Sequence, residues 1–588
     1  MQVIALLFLL IFIFFIQRNK DPQGKFFIFI FVLYLLYIKI QHAHFSTWDE
    51  FTHWAAVSKY LFLTNSLPGA YGPIQMPDYP PGAALFHYFI FKIIGYSEGH
   101  AYFAQDILLI VPLLCLFQRL SWRQWPYIIS TIFFCYLSIF VFGSWSLNPV
   151  SGGQGGFVSL QMDLVLGIFF GCGLVCYYLS QKNIKNIFLI LPLIFCLPLL
   201  KTTGIFFALL LCFIIMADQL ILTQFNDQKK SMGRVILISV LLIITASLSY
   251  GSWQFYLYFH HIQTTYSSGI TFSHIKQLIA GNLTLAQQTI ISDFFHTLIY
   301  GQIGAAQISF FFKDPRIINI LEMLIFMVFA VSILLFSEKD KLKRVSILNL
   351  NLCLLVGLIL FVIGMLFVYL YSFQYYESHY ISSYPRYLGT YFIAWFMINY
   401  AFLLNSAINK KASWIQKTAV WLLPIAGLIV SPKVAYTFLT EPVKPMLPVR
   451  ANIQKLANYI NQEISGNKGM YVVWQQSPGF IQNILAFEMI PRKINTDDWS
   501  LGKKYPGYDV WTKNITAKQF KDNISQYDYL FLAKTDKQFW NQYGNQVGLL
   551  LYKNQCTKQS CIFEIIKNNQ NSVVFKIIPN IKIVIKDK

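Results

Sequence analysis

Long apolar runs recur along most of this 588-residue chain and constrain its fold more than any other feature. They are separated by short polar stretches and cover residues 2–17, 25–40, 83–95, 101–117, 126–142, 157–179, 187–200, 202–216, 234–258, 317–336, 346–371, 388–408 and 414–430. A helix needs roughly 20 residues, and at least about 17, to cross the hydrocarbon core of a bilayer. Most of these runs therefore predict spanning helices. Segment 83–95 reaches only about 20 Å at roughly 1.5 Å per residue, so we expect it to lie on or dip into one face.

Composition supports the same class. The chain is 56% hydrophobic and only 12% charged, and its mean hydropathy is +0.50, as in polytopic membrane proteins. The net charge of +20 would suggest a nucleic-acid partner in a soluble protein. Here the basic residues fall in short loops between apolar runs and in the C-terminal third, so membrane topology and anionic lipid explain them. We expect membrane lipid as a partner and no nucleic acid.

The positive-inside rule orients the helices. The short basic loops, expected on the cytoplasmic side, are 17–25, 118–125, 181–186, 226–234, 337–344 and 409–413. Alternation works if 187–216 crosses twice with a break at Lys201. We therefore predict a polytopic α-helical membrane protein of about 12 or 13 spans with both ends outside the cytoplasm.

The C-terminal region has a different character. After a proline-rich linker at 441–450 we expect a soluble extracytoplasmic α/β domain, which divides the chain into a membrane domain, 1–440 with an outer loop at 42–82, and a domain at 441–588. Helices are predicted at 451–464 and 478–489. Strands are predicted at 471–474, 527–534, 547–553, 561–566 and 572–578. Cys556 and Cys561 are able to pair if this region is outside the cytoplasm.

The outer loop opens with HFSTWDEFTHW, which places Asp49 and Glu50 beside His53. One interpretation is structural: Asp49 or Thr47 caps a helix that begins at Glu50. The other is functional: a carboxylate near a low-dielectric boundary has its pKa raised toward a useful range and acts as a general base. The sequence alone leaves both open.

Other polar residues fall on the same predicted outer face. Asp163 starts the helix in QMDLVLG, Lys201 interrupts LPLLKTTG, and Arg386 precedes Tyr387 in SYPRYLG. Lysine and arginine at such places suit a phosphate, although snorkelling or interfacial side chains are the plainer explanation. Tyr79 lies in YPPG, which ends the outer loop and opens a helix, since proline is favoured in a first helical turn.

The ordered set of these motifs resembles the GT-C class of integral membrane glycosyltransferases, which includes protein O-mannosyltransferases and lipid A aminoarabinose transferases. The elements that carry the resemblance are Asp49 in WDEFTHW, Tyr79-Pro80-Pro81, Asp163 in QMDLVLG, Lys201 in LLKTTG, and Arg386-Tyr387. The resemblance covers roughly residues 40–400. A soluble outer domain after the last span also occurs in this class. Two features depart from it: a second apolar segment precedes the acidic loop, where one is usual, and the C-terminal domain has no recognisable counterpart.

What the resemblance implies is transfer of a hexose or pentose from a polyprenyl phosphate to a glycan, lipid or protein hydroxyl outside the bacterial inner membrane. Asp49 would be the catalytic base and Glu50 its neighbour in the catalytic pair. Lys201 and Arg386 would neutralise the departing phosphate, and Asp163, Tyr79, His53 and Tyr387 would line the donor site. Asp163 and Glu50 would orient groups or hold a divalent cation, Mg²⁺ or Mn²⁺, which some members use, although this chain shows no clean ligand set for one.

Three alternatives belong to other classes. A flippase for a lipid-linked glycan would suit charges within spans, but transporters typically show internal repeats, and none is visible here. An O-antigen polymerase or ligase also has many spans and an arginine-bearing outer loop. The third is a non-catalytic scaffold whose outer domain binds a partner. It does not explain why Asp49, Lys201 and Arg386 all fall on the same predicted face.

Overall fold

The architecture is given by a computed structural model. It describes residues 22–70, 72–143, 155–179, 187–225, 232–265, 271–304, 307–308, 316–409, 412–430, 432–443, 445–464, 466–502, 504, 509–567 and 573–578. The predicted first helix at 2–17 lies outside these residues.

Helices dominate the described part of the chain up to residue 440. In chain order they are α1 (Pro22–Ile40), α2 (Ala55–Thr64), α3 (Gly82–Ile94), α4 (Glu98–Leu113), α5 (Trp125–Gly143), α6 (Met162–Leu179), α7 (Leu191–Leu200), α8 (Gly204–Phe225), α9 (Met232–Phe259), α10 (Phe272–Ile279), α11 (Leu285–Tyr300), α12 (Ile320–Ser337), α13 (Lys341–Tyr371), α14 (Tyr375–His379), α15 (Tyr384–Ala407), α16 (Trp414–Ala419), α17 (Leu422–Val430) and α18 (Pro432–Thr440). A two-stranded antiparallel ribbon, β1 (Gln307–Ile308) and β2 (Arg316–Ile317), lies between α11 and α12.

Eight helices in the described residues are long and apolar enough to cross a membrane. Shorter apolar helices account for the predicted segments at 25–40, 83–95, 187–200 and 414–430. The chain is thus a polytopic helical integral membrane protein, and the predicted fold class is confirmed. The helix over the predicted segment 83–95 has 13 residues, too few for a full crossing at about 1.5 Å per residue.

The chain folds as two compact units. The first comprises the described parts of 1–44 and 78–444, and the second the described parts of 45–77 and 445–588. The division at 444 lies close to the predicted boundary at 440. Residues 45–77, which the sequence assigns to the membrane domain as part of its outer loop, group instead with the C-terminal segment. Buried contacts within the second unit explain this grouping, because the rings of Phe45 and Phe51 pack edge-on against Phe487.

Helix α6 is the centre of the first unit, and its whole length is buried. Its sequence GIFFG places Gly167 and Gly171 one turn apart, the small-xxx-small pattern that allows close packing between membrane helices. A Cβ at Gly167 would lie 2.3 Å from the carbonyl oxygen of Thr390, and one at Gly171 would lie 3.0 Å from the Cα of Ala394. Both contacts are with α15, so this crossing fixes the start of α6 beside the start of α15.

The second unit is a small α/β fold. Its helices and strands are α19 (Pro448–Glu463), β3 (Met470–Trp474), α20 (Gly479–Met489), α21 (Ala517–Ile524), β4 (Tyr529–Lys534), α22 (Lys537–Phe539), α23 (Lys553–Cys556), β5 (Cys561–Lys567) and β6 (Val573–Ile577). The sheet order is β3-β4-β5-β6, with β3 parallel to β4 and the other pairs antiparallel. Its core includes Tyr471, Leu530 and Phe563, with Phe520 and Ile524 from α21.

Two details of this unit test the sequence analysis. A disulfide joins Cys556 to Cys561, the pairing that the sequence left open. The strand predicted at 547–553 is wrong: Leu550–Tyr552 form a 3₁₀ turn that leads into α23. Leu550 and Leu551 are exposed there, so the apolar run has no sheet partner to cover it. Short apolar runs do not distinguish strand from helix by periodicity.

The close crossing of α6 and α15 generates a prediction. We expect Gly167→Ala to lower the thermal unfolding midpoint of the detergent-solubilised protein, because the new methyl group meets a backbone oxygen that cannot rotate away. Overpacking of this kind costs about 1–3 kcal/mol. Gly251→Ala is the matched control: no atom lies within 4 Å of a Cβ there, and alanine is the better helix former. Equal midpoints for the two variants would contradict this packing.

Candidate functional site: an ion cluster at three helix starts

Three of the predicted residues meet in the first unit. Lys201 Nζ lies 2.5 Å from Asp163 Oδ1, and Arg386 Nε lies 3.1 Å from Asp163 Oδ2. The side chains are only 6% (Asp163), 11% (Lys201) and 13% (Arg386) exposed. One carboxylate thus bridges two cations, which leaves the cluster with an excess of positive charge. We call these three residues the ion cluster.

Lys201 reaches the cluster because the chain breaks there. Pro198 lies in the last turn of α7, Lys201 is extended with φ −156° and ψ 152°, and α8 begins at Gly204. The break predicted from these residues is confirmed. Thr202 and Thr203 are exposed beside the lysine, so two hydroxyl groups border the cluster.

Arg386 stands in the first turn of α15. Two residues of the preceding turn, Ile381 and Ser383, have positive φ values of 44° and 65°, a region that branched side chains such as isoleucine rarely adopt. The turn is held by Tyr369, whose hydroxyl donates to the Ser382 carbonyl at 2.5 Å. Strained backbone of this kind persists where the surroundings enforce it and is common at functional sites.

Tyr387, another predicted site residue, lies beside the ion cluster. Its ring centroid lies 4.8 Å from Lys201 Nζ and 5.4 Å from the Arg386 guanidinium carbon. A cation over an aromatic face is stabilised by about 0.5–2 kcal/mol. The ring therefore keeps both cations near the carboxylate without neutralising either of them.

The backbone adds to the positive field. The starts of α6, α8 and α15 lie at or within three residues of Asp163, Lys201 and Arg386. Each helix N-terminus carries roughly half a positive charge and unpaired N–H groups, which attract anions. Three such ends beside Lys201 and Arg386 favour the binding of a phosphate or another multivalent anion.

The Tyr79 element approaches the same break. Gly82, at the start of α3, packs so closely on α7 that a Cβ would lie 2.6 Å from the Leu199 carbonyl oxygen. Asp78 anchors the segment from the other side, since its carboxylate accepts from the N–H and hydroxyl of Thr265 at 2.8 and 2.7 Å. Tyr79 therefore lies between two fixed points of the chain, the Asp78–Thr265 hydrogen bonds and the close contact of Gly82 with Leu199. Leu199 is two residues before Lys201.

Sequence analysis missed one residue that supports the cluster. Gln105 in α4 donates to the Gln161 carbonyl at 3.3 Å, two residues before Asp163, and its oxygen pairs with His87 Nε2 at 3.1 Å. All three side chains are buried. A glutamine within an apolar run, AYFAQDILL, was the available signal.

Two buried acids were missed as well. Asp218 in α8 accepts hydrogen bonds from the Tyr177 hydroxyl at 2.8 Å and the Ser346 hydroxyl at 2.6 Å, and it joins α6, α8 and α13. Asp106 is fully buried in α4. Acidic residues inside apolar runs are functional candidates by default, yet the partners of Asp218 give it a structural role in helix packing.

Asp49, Glu50 and His53 belong to the second unit. Glu50 is 1% exposed, and its Oε2 accepts from the backbone N–H groups of Ser46 and Thr47, both at 2.9 Å. His53 is buried, with Nδ1 2.8 Å from the Thr52 hydroxyl. Asp49 is half-buried, and its side chain does not cap the turn that follows it. The capping interpretation of Asp49 therefore fails, whereas Glu50 has a local structural task.

The possible divalent cation has no evident ligand set. Within the ranges that the structure describes, no three His, Cys, Asp or Glu side chains come together in a way that holds a metal ion. His379 Nδ1 lies 2.9 Å from Asp293 Oδ2. This is a contact between two partly exposed side chains, and no third ligand of these types joins it among the described residues.

Comparison with known proteins gives matches among solved structures alone. No family model matches the chain, and no curated protein matches it. ArnT from Cupriavidus metallidurans in the apo state is similar over 95% of this chain and 98% of that chain, with 13% identity and a TM-score of 0.38. The same protein bound to undecaprenyl phosphate matches over 94% and 98%, with 12% identity and a TM-score of 0.35.

A third structure is the archaeal oligosaccharyltransferase AglB from Archaeoglobus fulgidus, in complex with an inhibitory peptide and a dolichol-phosphate. It matches over 95% of this chain and 75% of that chain, with 11% identity and a TM-score of 0.37. ArnT and AglB are GT-C membrane glycosyltransferases, the class that the sequence resembles. Because identities and TM-scores are low, the functional case rests on the residues of this chain.

The ion cluster generates a stability prediction. We expect Asp163→Asn to destabilise the protein by about 3–5 kcal/mol, because it leaves two buried cations without their shared carboxylate. Thermal unfolding in detergent measures the effect. Asp293→Asn is the control: it removes the partner of His379 in a pair whose side chains are 34% and 40% exposed, and such pairs contribute about 0–1 kcal/mol. Equal effects of the two changes would contradict the bridging role of Asp163.

Proposed function

We propose that this protein transfers a sugar from a polyprenyl-phosphate donor to a hydroxyl group of a glycan, lipid or protein acceptor. The observation that carries the proposal is the ion cluster: two cations and three helix starts, with one carboxylate, inside an integral membrane unit. A membrane-embedded, cation-rich site fits an anion that arrives on a lipid. The motif order supports the transferase over a flippase or a polymerase.

In the proposed reaction the acceptor oxygen attacks the anomeric carbon of the sugar. The bond from that carbon to the phosphate oxygen breaks, and its electron pair leaves with the lipid phosphate, so the sugar is transferred with inversion. Negative charge grows on the departing phosphate, and preorganised cations are most effective where charge develops. Lys201 and Arg386 supply them, and Tyr387 keeps them in place.

The acceptor hydroxyl must also lose a proton. We assign this step to Asp49, on the strength of its place in WDEFTHW and its half-buried position directly before the π-helical turn. Glu50, the second member of the predicted catalytic pair, holds the backbone of Ser46 and Thr47 and so acts on Asp49 through the turn. We propose the extracytoplasmic face of a bacterial inner membrane as the place of the reaction, following the distribution of basic loops.

Donor binding tests the ion cluster. We expect Lys201→Ala and Arg386→Ala each to weaken binding of undecaprenyl phosphate by about 10- to 100-fold, because charge-assisted hydrogen bonds contribute about 1.5–3 kcal/mol. Native mass spectrometry or fluorescence titration of the protein in nanodiscs measures this affinity. Lys276→Ala, on the exposed helix α10, is the control. Wild-type affinity in both cluster variants would remove the phosphate role.

Transfer of a tritiated sugar tests the base. We expect Asp49→Asn to lower the rate of transfer from undecaprenyl-phosphate hexoses or pentoses to a cell-envelope fraction by about 10²- to 10⁴-fold, the usual contribution of a general base. Binding of undecaprenyl phosphate and the unfolding midpoint should not change. Asp497→Asn, an 87% exposed aspartate of the same unit, is the control. Undiminished transfer by Asp49→Asn would end the assignment.

A further inference from the structure

The segments before and after Asp49 are both held by residues of the C-terminal segment, 445–588. From these contacts we infer that the C-terminal segment positions Asp49, so that Arg450 and Trp511 are positioning residues for the base. The inference rests on the proposed function, since it gives the C-terminal segment a task in that reaction. All the contacts involved lie within the second unit.

Arg450 holds the backbone before Asp49. It is fully buried, and its NH1 donates to the Phe45 carbonyl at 2.9 Å, while Nε donates to Glu488 Oε1 at 2.8 Å. Its guanidinium carbon lies 5.2 Å from the centre of the Phe51 ring, just after Asp49. A buried guanidinium must place five donors and is costly to leave unpaired. This arginine therefore contacts the chain on both sides of Asp49, at Phe45 and at Phe51.

Trp48, the residue directly before Asp49, is part of an aromatic column. Its ring stacks on Trp511 with centroids 5.2 Å apart and an interplanar angle of 27°, and on Phe480 at 6.1 Å and 26°. Trp511 in turn stacks on Trp499 at 5.7 Å. Such pairs contribute about 0.5–1.5 kcal/mol each beyond their buried area. Both neighbouring rings of Trp48 come from the C-terminal segment.

The backbone at Trp511 is held by hydrogen bonds. The carboxylate of Asp509 accepts from the backbone N–H groups of Trp511 and Thr512, both at 3.0 Å. Behind it, the indole N–H of Trp499 donates to the Ser477 carbonyl at 3.2 Å. The column is therefore a rigid support for Trp48, because its members are held by hydrogen bonds as well as by stacking.

The turn that bears Asp49 has an unusual geometry. Residues Glu50–Trp54 form a π-helical turn before α2, and single π turns inside helices are frequent at functional sites. Lys59, farther along α2, donates to the Phe487 carbonyl at 2.7 Å. The π-helical turn and α2 thus contact the C-terminal segment at Phe51 and again at Lys59. Asp49, directly before the turn, is half-buried. A base held in this way meets the demand that catalytic groups be placed to within a fraction of an ångström.

The test compares Trp511→Ala, Trp511→Phe and Tyr552→Ala in the full chain in nanodiscs. Tyr552 is the control because it is a half-buried ring of the same unit that packs on Phe563, in β5. We expect Trp511→Ala to speed amide hydrogen exchange at residues 46–54 and to lower kcat by about 10- to 100-fold, as small misplacements do. KM for the tritiated undecaprenyl-phosphate donor should stay unchanged. Trp511→Phe, which keeps a stacking ring, should restore both readouts, and Tyr552→Ala should alter neither.

Unchanged exchange at 46–54, unchanged kcat, or a change in donor KM alone in Trp511→Ala would overturn the inference. If Trp511→Ala does not fold, Phe480→Leu removes the other ring of the Trp48 stack and is judged by the same readouts. Asp49→Asn is measured in parallel. Inactive Asp49→Asn beside fully active Trp511→Ala refutes the positioning role alone, whereas active Asp49→Asn refutes the proposed base and, with it, the inference.

Discussion

An ionised carboxylate inside a membrane protein needs other groups to compensate its charge, and Asp163 meets this constraint with two cations from distant parts of the chain. Lys201 and Arg386 lie 38 and more than 200 residues away in sequence, yet each contacts its own oxygen of the carboxylate. Removing the carboxylate deprives two buried cations of their shared partner, which is far more costly than breaking a surface pair. The starts of α6, α8 and α15 are therefore bound to a common point.

This constraint also explains the electrostatic character of the site. With one cation, the carboxylate would be neutralised and the three helix starts alone would attract an anion. The second cation and the helix ends shift the balance toward positive charge. Tyr387 stabilises the cations through its ring and adds no opposing formal charge. The two cations are thus held by a shared carboxylate that balances only one of their charges.

The sequence predicted those features that depend on local chemistry. Proline and glycine around Lys201 marked the break between α7 and α8, and the periodic runs located the spanning helices. Features that depend on distant partners were not predictable. Arg450, in the linker sequence PVRANIQ, has the local appearance of a surface residue, and only the folded chain shows it buried against Phe45 and Glu488. The run at 547–553 has strand composition, but its residues Leu550–Tyr552 form a 3₁₀ turn that leads into α23.

Functional residues on loops are normally less precisely positioned than residues of helices and strands, because loops are more mobile than the elements that they connect. The segment with Asp49 departs from this pattern. Its helix is covered by aromatic rings and a buried arginine that come from a segment about 400 residues later in the chain. These contacts hold Trp48 and Phe45, on the N-terminal side of Asp49, as core residues are held. The grouping of 45–77 with the C-terminal segment therefore has a structural consequence. The segment that bears Asp49 packs on the α/β fold as part of the same unit.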